Sequence, residues 1–264
     1  MLDFFLHVDP LYVLSGILVG GLVGMTGVGG GALMTPILVL LFGMHPATAV
    51  GTDLLYASIT KTGGSIVHGY NRTVDWRVVG RLAMGSIPAT ALTIAVLYFV
   101  DVDSKTTQLM LTRVLGIALL FTAISLLIRK PLMQWYMHNL PEMPAERVRK
   151  LTIFTGALLG VLVSLSSVGA GAIGVTALVF LYPRLEARRI VGSDIAHAVP
   201  LTLIAGLGHS ALGLIDWHVL GSLLVGSIPA IIVMSIVSAR ASDTAVRVTL
   251  ALVLIAVCAR FWFT

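Results

Sequence analysis

Charged residues and cysteine are both scarce in this chain of 264 residues. Only 11% of the residues are charged, whereas soluble domains contain about a quarter. The single Cys258 excludes an internal disulfide and a cysteine metal cluster. Because 57% of the residues are hydrophobic, the composition predicts an all-α polytopic membrane protein with the lipid bilayer around it.

The sequence also lacks the marks of nucleotide and nucleic-acid binding. The glycine-rich stretch at 26–31 is followed by no Lys-Ser/Thr and has no acidic residue at dinucleotide spacing, so it is not a phosphate loop. The net charge of +5 comes mostly from short loops, where basic residues set membrane orientation rather than bind nucleic acid. We expect no cofactor. Residues 1–10 have no basic region before their apolar stretch and predict an interfacial lead-in rather than a cleaved signal.

Two glycine-rich breaks interrupt long apolar runs. Thr26-Gly27-Val28-Gly29-Gly30-Gly31 interrupts the segment 11–43, and Ser166-Ser167-Val168-Gly169-Ala170-Gly171 interrupts the segment 151–183. Glycine disfavours a helix, and inside a bilayer a broken helix survives only where protein or a cavity satisfies its free backbone groups. Paired breaks of this kind point to the binding site of a transporter.

The chain is duplicated. A shift of 141 residues aligns 50–89 with 191–230 at 15 identities in 40, and a shift of 140 aligns the two breaks. The matched strings are Val-Gly-Thr/Ser-Asp, a histidine, Asp-Trp and Gly-Ser-Ile-Pro-Ala. Because several of these residues are polar, shared apolar composition does not explain the match. Repeats of this size dominate a transporter fold.

Each repeat unit reads as a broken helical hairpin followed by three transmembrane helices. Basic loops flip sides between the units, which predicts two inverted-topology repeats, six full spans and both termini outside. The domains are a lead-in (1–10), unit one (11–128), a cytoplasmic linker (129–150) and unit two (151–264). The predicted long helices are 46–69, 77–99 and 107–128 in unit one, and 187–213, 218–238 and 244–263 in unit two.

These motifs, in this order and duplicated, resemble the sulfite exporter TauE/SafE family of bacterial inner-membrane permeases. The resemblance covers residues 11–263. It implies a permease in the bacterial inner membrane that moves a small anion, such as sulfite or a small organosulfonate, and we expect a secondary transporter. The loop charges then place both termini in the periplasm. The oligomeric state stays open, a homo-oligomer included.

The breaks predict an anion site. A helix that begins at a break presents free N–H groups and the positive end of its dipole, and nearby hydroxyls add donors. The alternative is that the glycines only allow close helix packing. The predicted substrate-binding residues are Thr26, Gly29, Gly30, Gly31, Thr52, Lys61, Ser166, Ser167, Gly169, Gly171 and Ser193.

Four polar residues are candidates for proton coupling. Asp53 and Asp194 lie in otherwise apolar helices, where a carboxylate costs about 2.5–3.5 kcal/mol on insertion scales. Either they carry protons as the units move, or they cap helices that start after a glycine. His68 and His209 are possible proton relays, or helix-end histidines bonded to a carbonyl.

Three functions compete. An anion permease is favoured. A cation or metal permease would use Asp53 and Asp194, although hard cations want more converging oxygens. An intramembrane enzyme would pair Ser166 or Ser167 with His209, without an evident orienting group. We therefore predict no catalytic residue and no resident metal.

Overall fold

The computed structural model describes residues 8–26, 31–139, 143–237 and 243–263, and within these stretches it contains ten helices and no strand. Five of the described helices are long and apolar enough to cross a membrane. In chain order the helices are α1 (Pro10–Thr26), α2 (Gly31–Leu40), α3 (Pro46–Tyr70), α4 (Trp76–Phe99), α5 (Lys105–Asn139), α6 (Ala145–Ser166), α7 (Ala172–Leu181), α8 (Ala187–Ala211), α9 (Trp217–Val237) and α10 (Asp243–Phe263). The chain is thus an all-α polytopic membrane protein, as the composition predicts.

Both broken segments fold back on themselves. In the first, the ring of Tyr12 at the start of α1 stacks on Phe42, just after α2, with centroids 4.2 Å apart. In the second, the hydroxyl of Thr152 in α6 bonds to that of Tyr182, just after α7, at 2.8 Å. Each contact joins the end of a second arm to the start of its first arm, and the two contacts occupy equivalent positions in the repeat. The predicted hairpins are confirmed by this geometry.

Two helices continue into the predicted linker 129–150. Helix α5 runs to Asn139, and α6 begins at Ala145 rather than at 151. With 22 residues, α6 is about 33 Å long and could cross the hydrocarbon by itself. Its first turns carry exposed charged residues, so a helix that leaves the bilayer simply continues into water. The first arm of this hairpin is therefore longer than predicted.

The first helix of each half packs against a helix of the other half. We call α1–α5 half one and α6–α10 half two. Helix α1 packs on α9, and the equivalent pair, α6 on α4, packs in the same way. Gly85 of α4 meets the carbonyl of Ile153 so closely that a Cβ would overlap it, and Gly226 of α9 does the same against Val13. These are the glycines of the repeated Gly-Ser-Ile-Pro-Ala motif, and their missing side chains let the halves interlock.

Helices α3 and α8 form the centre of the interface between the halves. They are equivalent in the repeat, and they pack with opposite direction: Gly51 near the start of α3 lies against His209 near the end of α8, while Gly192 near the start of α8 lies against His68 near the end of α3. This antiparallel packing is what an inverted repeat requires. The inverted orientation in the membrane stays a prediction.

The Asp-Trp motifs start helices and form hydrogen bonds to the opposite half, which we call the clasps. The carboxylate of Asp75 accepts from the first amides of α4, and that of Asp216 accepts from the first amides of α9, as N-caps do. Their own backbone N–H groups cross to the other half. Asp75 N–H donates to Ser193 Oγ at 2.8 Å, and Asp216 N–H donates to Thr52 Oγ1 at 3.0 Å. Two matched hydrogen bonds thus join the units.

Candidate functional site

The second break is an irregular, buried turn between α6 and α7. Ser167 ends α6 with φ 57°, and Gly169 and Gly171 have φ 122° and 123°. A side chain is strained at such angles, which explains the two glycines. The amides of residues 169–173 donate to no acceptor within the described part of the chain. The start of α7 therefore presents the free donors that the sequence predicts, on a turn that is almost fully buried.

Lys61 of the opposite half reaches this break. Its ammonium donates to the carbonyl of Ala170 at 3.2 Å, and only 6% of the residue is exposed. The same ammonium interacts electrostatically with Asp53 and Asp194. Eight residues leave about 12 Å between Asp53 and Lys61 along one helix, so these two groups interact through the low-dielectric interior and not by a direct contact. A buried cation thus lies beside the free amides of the second break.

Asp53 links the first hairpin to the second break. Its Oδ2 accepts from the backbone N–H and the hydroxyl of Thr35 in α2, and the residue is fully buried. The Ser167 hydroxyl lies beside the same carboxylate, but the two do not form a hydrogen bond of good geometry. Asp53 Oδ1 and Ser167 Oγ are both buried, and neither has a partner among the described residues.

Asp194 lies in the equivalent place in half two. Its Oδ1 packs against the backbone of Gly174 in the first turn of α7, where a Cβ would overlap it. The carboxylate therefore occupies the space beside a helix start that only a glycine leaves open. Each Asp thus contacts the second arm of its own hairpin, and both carboxylates interact electrostatically with Lys61.

The helix-capping interpretation of the two carboxylates is wrong. Helix α3 begins at Pro46 and α8 at Ala187, so both Asp residues lie in the third turn of a continuous helix. Proline suits the first position of a helix, which is why α3 starts earlier than the glycine suggests. A carboxylate in the middle of a helix contacts groups of other elements. Here Asp53 accepts from Thr35 of α2, and Asp194 lies against Gly174 of α7.

Several predicted donors use their hydroxyls elsewhere. Ser166 Oγ donates to the carbonyl of Leu162 at 2.7 Å and accepts from Val168 N–H at 3.2 Å, which shapes the turn itself. Thr52 and Ser193 form the clasps described above. We therefore leave these three residues out of the site proposed below. Their sequence pattern did not distinguish a hydroxyl that binds substrate from one that bonds to the backbone.

The first break lies largely outside the described residues. Helix α1 is described to Thr26 and α2 from Gly31, and the predicted interruption at 27–30 lies outside the described residues. The predicted site residues Gly29 and Gly30 fall outside the described chain, as does the side chain of Thr26. Their role as anion ligands stays a prediction.

The two predicted histidines have local partners. His209 donates from Nε2 to the carbonyl of Ser164, near the end of α6, at 2.9 Å. This contact confirms the interpretation of a helix-end histidine bonded to a carbonyl. His68 Nδ1 and Thr73 Oγ1 are 2.8 Å apart at the end of α3. A role of either histidine as a proton relay stays a prediction.

Sequence reasoning missed two contributors. Thr35 supplies both donors to Asp53, and the buried His197 binds Ser86 of the Gly-Ser-Ile-Pro-Ala motif at 2.8 Å. The available signal was a polar residue in an otherwise apolar helix, the same signal that identified the carboxylates. Among the residues the structure describes, no three His, Cys, Asp or Glu side chains form a group suited to a metal ion.

The comparisons with known proteins agree with one another. The family model described as "Sulfite exporter TauE/SafE" matches residues 12–261. The chain is 38% identical to "Probable membrane transporter protein YjnA" of Bacillus subtilis, over 92% of this chain and 95% of that protein. It is 27% identical to "Probable membrane transporter protein YdhB" of the same organism, over 82% and 85%. A "Probable membrane transporter protein" of Xylella fastidiosa is 26% identical, over 81% and 78%. No solved structure matches the chain significantly.

Proposed function

Because the chain belongs to the sulfite exporter TauE/SafE family, we propose that it is a secondary permease for a small sulfur oxyanion or organosulfonate. The observation that carries this proposal is the buried Lys61 ammonium beside the second break. A buried cation next to unpaired backbone N–H groups forms a site for a small anion, because both groups favour negative charge. The Ser167 hydroxyl, buried and unpaired among the described residues, adds a third kind of donor.

The two halves supply the movement in this proposal. Both hairpins reach the centre through their second arms, and α3 and α8 pack between them with opposite direction. In alternating access, one repeat rocks against the other around a fixed central site. We propose inverted repeats in the bacterial inner membrane, with both termini in the periplasm, as the loop charges predict.

Asp53 and Asp194 couple the anion to protons in this scheme. When both are ionised, the cluster with Lys61 has one positive and two negative charges. An added anion would raise the negative charge of a buried site, which is costly in a medium of low dielectric constant. Protonation of one carboxylate removes this cost. Anion entry therefore accompanies proton uptake.

A cation permease is the second candidate, because two buried carboxylates would also attract a positive ion. Lys61 distinguishes the two ideas, because its ammonium lies at the second break and interacts with both carboxylates, so it would repel a second cation at this place. An enzyme finds less support. His209 Nε2 donates to the Ser164 carbonyl and Ser166 Oγ to the Leu162 carbonyl, so these residues do not form the contact between nucleophile and base that catalysis needs.

Binding to purified protein tests the proposal. Sulfite, sulfate, thiosulfate and small sulfonates are titrated calorimetrically into the wild type and into Asp53→Asn/Asp194→Asn, at several pH values. We expect the wild type to bind at least one of these anions, with proton uptake. The double variant should keep anion binding and lose part of the proton uptake. Binding of Mg²⁺, Ca²⁺ or Zn²⁺ that disappears in the double variant, with no anion binding by the folded wild type, would refute the anion permease.

A further inference from the structure

His197 lies deep in the protein, close to the proposed anion site, on which this inference rests. The residue is 0% exposed. It follows Asp194 by one turn of α8. Gly64 of α3 lies against Ile195 and Leu55 against Gly206, so the antiparallel packing of the two helices sets His197 level with Lys61. Its Nε2 is held by the Ser86 hydroxyl of α4 at 2.8 Å. Its Nδ1 is buried and has no hydrogen-bond partner among the described residues.

The partner of His197 permits a change of protonation state. A serine hydroxyl both donates and accepts, so Ser86 can stay bonded to Nε2 whether or not that nitrogen carries a proton. His209 contrasts with this arrangement, because its Nε2 faces the Ser164 carbonyl, which only accepts. A bond to Ser86 therefore fixes the place of the ring without fixing its charge, and it leaves Nδ1 available to a ligand.

Lys61 and His197 are not duplicated, because neither residue has a basic counterpart in the other half of the chain. The counterpart of His197 at the shift of 141 is Tyr56, and the counterpart of Lys61 is Thr202. In each half the residue one turn after the Asp is buried, yet only His197 can become a cation. The two departures from symmetry thus place two groups that can carry positive charge at the same level of the interface, where Lys61 disfavours a charged imidazole as long as no anion is bound.

The charged and titratable groups around this pair come from two helices. Asp53, Tyr56 and Lys61 belong to α3, and Asp194 belongs to α8 itself. Of the other elements packed against α8, α4 contributes Ser86, α6 the Ser164 carbonyl and α7 Gly174, all of them neutral. Asp75, just before α4, is paired with Arg189 at the start of α8.

We propose that His197 is a second ligand of the anion site and determines which anion charge it accepts. With a neutral imidazole, Lys61 serves a monoanion such as a sulfonate. When a dianion binds, His197 takes up a proton that the buffer acid releases to the solvent and donates from Nδ1, so the added negative charge has its own counter-charge. His197 thereby lets one site accept both dianions and monoanions.

The test compares sulfate with methanesulfonate, which keep charges of two and one near neutral pH. Binding to the full-length wild type and to His197→Gln is measured by calorimetry in buffers of different ionisation enthalpy, which gives the protons taken up. We expect the wild type to take up about one proton more with sulfate than with methanesulfonate. His197→Gln should lose this difference and bind sulfate about tenfold or more weakly, while its affinity for methanesulfonate changes by only a few-fold.

Two further variants make the result decisive. Tyr56→Phe is the matched control at the equivalent position and should keep the wild-type proton difference. His197→Tyr, which copies the residue of the other half, replaces His197→Gln if the latter does not fold, and it should give the same loss. If the histidine variants keep both the proton difference and the affinity for sulfate, this inference is overturned and the anion permease stands. If the folded wild type binds neither anion, the proposed function itself fails.

Discussion

Replacement of Lys61 by methionine is the most direct test of the buried cation. Methionine has a similar length and no charge, so the change removes the ammonium that lies 3.2 Å from the Ala170 carbonyl while the stem still fills the space. A hydrogen bond from a charged group contributes about 1.5–3 kcal/mol. We therefore expect the Kd of the transported anion to rise about 10- to 150-fold. Uptake into proteoliposomes should fall in parallel at low anion concentration.

Stability must be separated from binding in this experiment. The ammonium also offsets the charges of Asp53 and Asp194, and removal of one partner of a buried ion pair costs about 3–5 kcal/mol. The double variant Lys61→Met/Asp53→Asn restores the charge balance, and the asparagine can still accept from Thr35. We expect thermal unfolding of the double variant to occur at a higher temperature than that of Lys61→Met, whereas its anion affinity stays low.

Lys105→Met is the matched control, because Lys105 is exposed at the start of α5. It should leave both affinity and uptake at the wild-type level. The measurements are calorimetric titration in detergent, flux in proteoliposomes and a melting curve for each variant. A folded Lys61→Met protein whose Kd lies within twofold of the wild-type value would refute the central cation as an anion ligand.

Two further predictions concern the scaffold around the site. In Gly174→Ala the new Cβ would overlap the carboxylate of Asp194, so we expect a loss of about 1–3 kcal/mol in the free energy of unfolding; Gly80→Ala, whose Cβ would meet nothing within 4 Å, should be neutral or slightly stabilising in the same melts. Thr52→Val and Ser193→Ala each remove one clasp between the halves and should each cost about 0.5–1.5 kcal/mol. Equal melting temperatures for the clasp variants and the wild type would show that these bonds do not hold the halves together.

The helices and their duplication could be read from the sequence, because both depend on local patterns. Apolar runs of sufficient length predicted the long helices, and most observed ends lie within two residues of the predicted ones. The second break was also predictable, since Gly169 and Gly171 adopt angles that other residues avoid. The folding back of each hairpin also followed from length, because the predicted second arm 31–43 is about 20 Å of helix against a hydrocarbon core of about 30 Å.

The roles of the polar residues depended on partners that are distant in the sequence. Thr52 and Ser193 share a motif with the two carboxylates, yet their hydroxyls hold the opposite half while the carboxylates face the hairpins. Adjacent residues on a helix point in directions about 100° apart, so one motif can serve two different neighbours. The sequence contains the motif but not the neighbours.

The composition of the chain therefore predicted a helical membrane protein, and the order of its residues predicted the duplication and the glycine-rich stretches. Only the packing of α3 and α8 decided that Lys61 reaches the second break and that His197 lies within its field. The physical reason is the range of the interactions. Hydrophobicity and glycine content act along the chain over a few residues, whereas a buried charge is defined by groups more than a hundred residues away, which come together only when the two halves interlock.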